Sequence, residues 1–344
     1  MNRSAHRAAA AALLALSACG RDAGTGPGPV RRELYVDATA GSDHRDGTGP
    51  ARAFRTVARA LQEIPNAPGG RWTIHLAPGR YPEALRLERF TMPSDLARFQ
   101  DQAVPPAQSI AIVGDSSAPA RVVLAPPDSG QACIVAAGVV LYLSGFTCLA
   151  GPYGGVLAAG AALTIDDLAF VADSTSRTAL YLDRTTVEMG GRVTVDGPFG
   201  VGFAVRTYSL LRSGSPRNPA RLTVVFRVPG DGIFLRDFGD VTSAFETDTF
   251  RFEGGQVAVH ALLGSHAFFT NTVEVEVLGS QVAFHASEGS GVNVHHATVQ
   301  GVADVFGRCR YQSSIAVEGV TGTVARWWDS DGSCQLRAGA LTGS

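Results

Sequence analysis

From Leu163 to Gly301 one pattern recurs: two short runs of alternating apolar residues, joined by a bend and closed by a turn of Gly, Asp or Ser. LTIDDLAFVAD, VEMGGRVTVDG, LTVVFRVPGDG, FETDTFRFEGG, TVEVEVLGS and VNVHHATVQG are successive copies. A further run, ALYLDR, GFAVRT, GIFLRD, QVAVHA and QVAFHA, alternates with them. One position in that run, occupied by Asp183, Arg206, Arg236, His260 and His285, recurs at spacings of 23, 30, 24 and 25 residues. The longest spacing holds an insertion, SGSPRNP, from Ser213 to Pro219. A period near 24 with three short strands per repeat is the signature of an all-β, single-stranded parallel β-helix. One coil cannot bury its own apolar face, so coils stack about 4.8 Å apart and the open ends need caps. Leucine-rich and propeller repeats compete poorly, because L-x-x-L-x-L is absent and W-D does not recur.

The cap is legible upstream. Phe54, Val57, Ala60, Leu61 and Ile64 fall on one face of a predicted helix over 54–64, while Arg55, Arg59, Gln62 and Glu63 face away. Before it stands LYVDATAGSDHRDGTG from Leu34, and after it TIHLAPGRYPEAL from Thr73. This strand, Asp/Gly turn, helix and Pro-Gly turn, about fifty residues long, resembles the opening segment of the pectin-lyase-like superfamily, particularly its DUF1565-type members. The resemblance implies a right-handed β-helix whose helix plugs the first coil. It also implies a loop extending from the second coil, matched here by Arg89 to Pro106. Ala325 to Ser344, with Trp327 and Trp328, reads as the last coil, the tryptophans closing the core.

Composition fits a globular chain, with 45% hydrophobic and 17% charged residues. The net charge of −2 gives no general attraction to nucleic acid. All 29 basic residues are arginine, which excludes a lysine base or Schiff base. Residues 1–18 read as an export signal, with a basic start and an apolar run from Ala8 to Leu16 too short to span a bilayer. Leu16-Ser17-Ala18-Cys19 resembles a bacterial lipobox, which implies lipidation at Cys19; an ordinary secretory signal is the alternative. Gly20 after Cys19 then favours the outer membrane or cell surface. Residues 19–32 form a Gly/Pro-rich tether and 33–344 one β-helix domain. Cys133, Cys148, Cys309 and Cys334 suggest two disulfides, with three pairings open. Cys133–Cys148 and Cys309–Cys334 are favoured because each pair falls within one or two coils.

Three constellations carry possible chemistry. Asp37, Asp43 and Asp46 sit close enough in sequence to hold calcium, or to form Asx turns that cap the helix approach. Gly79-Arg80-Tyr81-Pro82-Glu83 resembles the G-x-Y-x-E of pectin methylesterases, where it is mainly structural. The catalytic D-F-I-F-G run of that family is replaced here by Asp237-Phe238-Gly239-Asp240, so its site does not carry over. Asp166 and Asp167 are adjacent, but Gly190 and Gly191 stand one coil on, so no lyase-type carboxylate cluster builds up. The third constellation is the recurring outward position itself. Arg206, Arg236, His260 and His285, continued by Arg308 and in one register by Arg326, form a mostly cationic ladder. Arginine grips carboxylates bidentately and histidine would add charge in acid. The expected function is binding of an acidic polysaccharide, or another envelope or surface partner, along the long face without catalysis. The competing expectation is a carbohydrate-active enzyme, a polysaccharide lyase or esterase, acting on uronic-acid glycans.

Overall fold

The computed structural model describes residues 31–65, 70–88, 109–127, 130–215, 217, 221–243 and 248–342. The signal segment, Cys19 and the loop predicted over Arg89 to Pro106 lie outside them, except that Arg31 and Arg32 belong to a strand rather than to a tether. The reason is pairing: Arg31–Val36 runs parallel to Arg71–Leu76, and the Arg32 guanidinium lies 5.2 Å from the Trp72 ring centroid.

The described residues form an all-β parallel solenoid of about eight turns with one short α-helix. Its strands form a 19-stranded and a 10-stranded sheet, every strand pair parallel. The smaller sheet stacks one strand per coil, from Leu85–Arg86 to Trp328–Ser330. The larger one carries the first two strands of each coil; toward the C-terminus these fuse into single bent strands such as His266–Leu278 and Gly291–Val302.

Register places like with like. One inward column runs Tyr81, Leu124, Cys148, Phe170, Val195, Phe226, Phe252, Val277, Val299. Phe226 and Phe252 stack face to face at 4.9 Å, and Phe203 from the smaller sheet meets Phe226 edge-on at 4.8 Å. Each fully buried phenylalanine contributes about 2–3 kcal/mol relative to exposure. These rings explain two glycines that open strand runs. A Cβ at Gly202 would stand 2.6 Å from the Phe226 ring, and one at Gly232 would stand 2.4 Å from that of Phe252.

The corner that leaves the smaller sheet is built the same way in coil after coil. Gly138, Gly160, Arg184, Tyr208, Phe238, Gly264, Gly289 and Gln312 all have positive φ, from 48° to 75°. Each of the first seven donates its N–H to the carbonyl just before its counterpart in the next coil, at 2.9–3.2 Å. The following residue supplies a buried hydroxyl. Thr185, Ser209, Ser265, Ser290 and Ser313 accept N–H groups of Ala161, Thr185, Gly239, Ser265 and Ser290 in the preceding coil. The left-handed bend exposes donors inside the corner, and these hydroxyls satisfy them.

The N-terminal cap helix spans Val57–Glu63, shorter than the predicted 54–64, with Thr56 as N-cap accepting from Arg59 N. Val57, Ala60 and Leu61 are buried, as are Phe54 and Ile64 beyond its ends. Glu83 accepts from the N–H groups of Val57 at 2.8 Å and Ala58 at 2.7 Å, which ties the helix to the next coil. Tyr81 is buried and donates to the carbonyl of Ala77 at 2.7 Å. The G-x-Y-x-E motif is thus a cap-fastening device. At the other end Trp327 and Trp328 pack on Phe306 with centroids 5.3 and 5.6 Å away. Disulfides Cys133–Cys148 and Cys309–Cys334 are both present.

Glu83→Ala strips the acceptor from two helix N–H groups. Urea unfolding is expected to show a loss of about 1–3 kcal/mol, and Glu83→Gln, which keeps one acceptor oxygen, a smaller loss.

Candidate functional site

The outward ladder lies on the smaller sheet, but as two columns. Asp183, Arg206 and Arg236 are register partners. His260 pairs with Phe234, not with Arg236. The second column runs Tyr181, Ala204, Phe234, His260, His285, Arg308, Asp329. The single ladder therefore breaks by a two-residue slip between Arg236 and His260. A slip of one residue would turn side chains inward and betray itself in the hydrophobic pattern; a slip of two keeps them outward. Asp329, not Arg326, continues beyond Arg308.

The ladder is also less cationic than expected, because turns deliver carboxylates to it. Arg206 Nη2 donates to Asp237 Oδ2 at 3.0 Å, and Arg236 Nε lies 3.7 Å from Asp237 Oδ1. Arg308 reaches Asp304 at 2.6 Å and Asp329 at 3.3 Å. Arg310 pairs with Asp329 at 2.7 Å and Arg326 with Asp304 at 3.1 Å. Hydrogen bonding by Asp237 raises the Arg206 pKa further, while Arg310 above all holds Asp329 below the usual carboxylate value. Such half-exposed pairs contribute little stability, on the order of 0–1 kcal/mol each. Their effect is positional: each fixes a planar fork of donors beside a planar pair of acceptors.

His260 Nδ1 lies 2.9 Å from Asp231 Oδ2. The carboxylate only accepts, so Nδ1 carries the proton. His260 and His285 stack at 4.3 Å with planes 16° apart. Burial first, then the charges of His260, Arg308 and Arg310, push the His285 pKa down to about 4, partly opposed by Asp329. His285 is therefore no source of extra positive charge in mild acid, which corrects the sequence expectation.

At the strand exits stand residues the ladder reading passed over. Tyr208 and Phe238 are 72% and 52% exposed, and their rings stack at 5.2 Å with planes 3° apart. Each lies two residues after a ladder arginine, in R-T-Y and R-D-F, and that repeat was the available signal. Both occupy the left-handed corner position, at φ 57° and 63°. An L side chain there costs about 1–2 kcal/mol that glycine avoids. Gly138, Gly160, Gly264 and Gly289 hold the same position in four other coils.

The Asp turn is organised by its own contacts. Asp37 Oδ1 accepts from Thr39 N and Ala40 N, both at 2.8 Å. Asp43 accepts from Arg55 N, Thr56 N and Thr56 Oγ1. Asp46 pairs with Arg52, which holds it well below the usual carboxylate range. The three carboxylates serve separate partners and do not fit a shared calcium shell. Among the described residues no group of three or more His, Cys, Asp or Glu is gathered for a metal.

A second polar cluster lies on the larger sheet. Asp166, 1% exposed, pairs in register with Gly190 and accepts from Ser215 Oγ of the Ser213 insertion at 2.8 Å. Arg217 of the same insertion sits 4.3 Å over the Tyr142 ring. Asp166 Oδ1 is buried with no hydrogen-bond partner among the described residues. Burial raises the Asp166 pKa despite the Ser215 hydrogen bond. The insertion thus folds back over two earlier coils, bringing an acid, a phenol and a guanidinium together.

No family model matches this chain, and no curated protein matches it.

Two titrations are testable. The His285 pKa is lowered on folding, so stability is full above the unfolded value near 6.5 and falls as pH drops toward about 4. His285→Gln should flatten thermal stability across that window. The Asp166 pKa is raised, so its contribution is full below the unfolded carboxylate value and is lost as pH rises through the folded one. Asp166→Asn should melt higher than the parent at pH 7, by about 2 °C per kcal/mol, and at the same temperature once pH falls below 4.

Proposed function

We propose that this is an exported protein, lipid-anchored through Cys19 at the outer membrane or cell surface, that binds acidic polysaccharide along the ladder face without catalysis. Its affinity is with the pectin-lyase-like solenoids whose opening segment it resembles. The two disulfides are compatible with export.

One observation carries the binding reading. Arg206 and Arg236 in one column and Arg308 in the neighbouring one recur along a stack of parallel strands, each side chain still 31–45% exposed beside an aspartate. A uronate polymer offers both carboxylates and hydroxyls. Arginine takes the carboxylate through two parallel N–H donors, and the aspartates accept from sugar hydroxyls. Balanced charge limits nonspecific attraction and leaves geometry to select the ligand.

A second reading is favoured by the Asp166 cluster: an acid of raised pKa beside Tyr142 and Arg217 is the material of a polysaccharide lyase or esterase site. Unsaturated-product absorbance and ester release on polygalacturonate and alginate test it; under the binding reading neither appears.

Affinity electrophoresis in polygalacturonate tests the binding reading. The parent should be retarded, less so at high salt. Arg206→Ser with Arg236→Ser should weaken binding about 10-fold at low salt, as expected for the loss of partly exposed charge-assisted hydrogen bonds. Unchanged retardation would remove these arginines from the site.

A further inference from the structure

We propose that Tyr208 and Phe238 form a stacking platform for a pyranose ring, beside the arginine ladder. The inference rests on the glycan-binding reading and names the part of the face that meets the sugar ring itself.

Three independent features converge on this pair. The first is exposure: two large rings stand open at adjacent coils, parallel within 3°, with centroids 5.2 Å apart. A large apolar surface left open is informative where a single exposed ring is not.

The second is conformation. The corner column takes a left-handed residue in coil after coil, and four of its eight positions are glycine. Glycine takes that conformation without strain; Arg184 and Gln312 fill two further positions. Tyrosine and phenylalanine are among the bulkier residues to place at positive φ, and they occur in consecutive coils. Strain retained at a surface position points to a role other than folding. The next position along is bare, and a Cβ at Gly264 would lie 2.8 Å from the Phe238 ring. Glycine at 264 therefore leaves room for that ring.

The third is the rim. Asp237 immediately precedes Phe238, and its carboxylate joins Arg206 at 3.0 Å and approaches Arg236 at 3.7 Å. Planar donors and acceptors thus border an aromatic surface. A pyranose presents two chemically different aspects. Its axial C–H face is apolar and weakly positive, and suits the electron-rich face of an aromatic ring. Its equatorial hydroxyls and, in a uronate, its carboxylate point outward, toward such a rim. A lipid acyl surface would use the rings but not a fork of alternating donors and acceptors.

The test separates platform from ladder and from fold. Oligogalacturonate and an uncharged galacto-oligosaccharide serve as probes in titration calorimetry at low and at high salt. The variants are Tyr208→Gly, Phe238→Gly and the double, with Arg206→Ser as reference. Loss of the platform should weaken oligogalacturonate binding about 10-fold at both salt concentrations, whereas Arg206→Ser should weaken it at low salt only. The glycine variants should melt at or above the parent temperature, because glycine relieves the left-handed strain. Tyr208→Trp should keep affinity and show a change in tryptophan emission on addition of either probe.

Parental affinity in the double glycine variant overturns the platform and leaves the arginine ladder as the site. Glycine variants that melt lower, and bind less only in proportion to unfolding, also overturn it, assigning the stack to folding. A parent protein that binds neither probe overturns the glycan reading and the platform with it.

Discussion

The left-handed corner at the exit of the smaller sheet is the constraint on which the rest of this solenoid turns. Each corner carries the chain from the smaller sheet into the larger one, and its N–H groups point where no strand partner waits. The continuous run of N–H to carbonyl bonds from Gly138 to Gly289, and the buried hydroxyls of Thr185, Ser209, Ser265, Ser290 and Ser313, satisfy them from the neighbouring coil. A corner is therefore stable only with its neighbour in register. That coupling stacks Phe170, Phe226 and Phe252 in the core, and it sets where outward columns begin and end. Val139, Ala161 and Gly239 stand where other coils have the hydroxyl, and at Gly239 there is no room for a side chain: a Cβ would meet the Val205 carbonyl at 2.2 Å.

The same corners also shape the rim of the smaller sheet. Ladder residues Arg206 and Arg236 close their strands, so the turn that follows delivers Asp237 beside them and lifts the rings of Tyr208 and Phe238 into solvent. A turn closing the next face does likewise at Asp304, which holds both Arg308 and Arg326. The result is a face of alternating donor forks and acceptors, not a strip of positive charge. Under the proposed binding reading, such a face would discriminate by shape and hydrogen-bond geometry, with long-range attraction in a minor part. It contrasts with the Asp166 cluster on the larger sheet, where the Ser213 insertion buries its acid.

Much of the architecture was legible because solenoids write it repeatedly. A period near 24, the apolar stripe of Phe54, Val57, Ala60, Leu61 and Ile64, and four cysteines spaced by coils lead to stacked coils, a cap and two disulfides. Asp166 opposite Gly190 was readable by the same counting. Column assignment was not, wherever coil length changed. Between Phe234 and His260 the coil takes 26 residues, and counting from Arg236 gives 24, which is equally good to the eye. Alternation has period two, so both alignments leave the histidine outward.

What the sequence determined by itself is the repeat and its consequences: strands that face inward and outward in turn, coils that need neighbours, and a helix that closes one end. These follow from local periodicity, which every copy restates. What only the tertiary structure decided is who meets whom across coils. Asp237 beside Arg206, His285 held neutral against His260, the fold-back of Ser215 onto Asp166, and the Tyr208–Phe238 stack all join residues 25 to 49 positions apart. Their partners depend on loop lengths and corner geometry summed over whole coils. Two residues of difference move a charge by a column, and no local pattern records it.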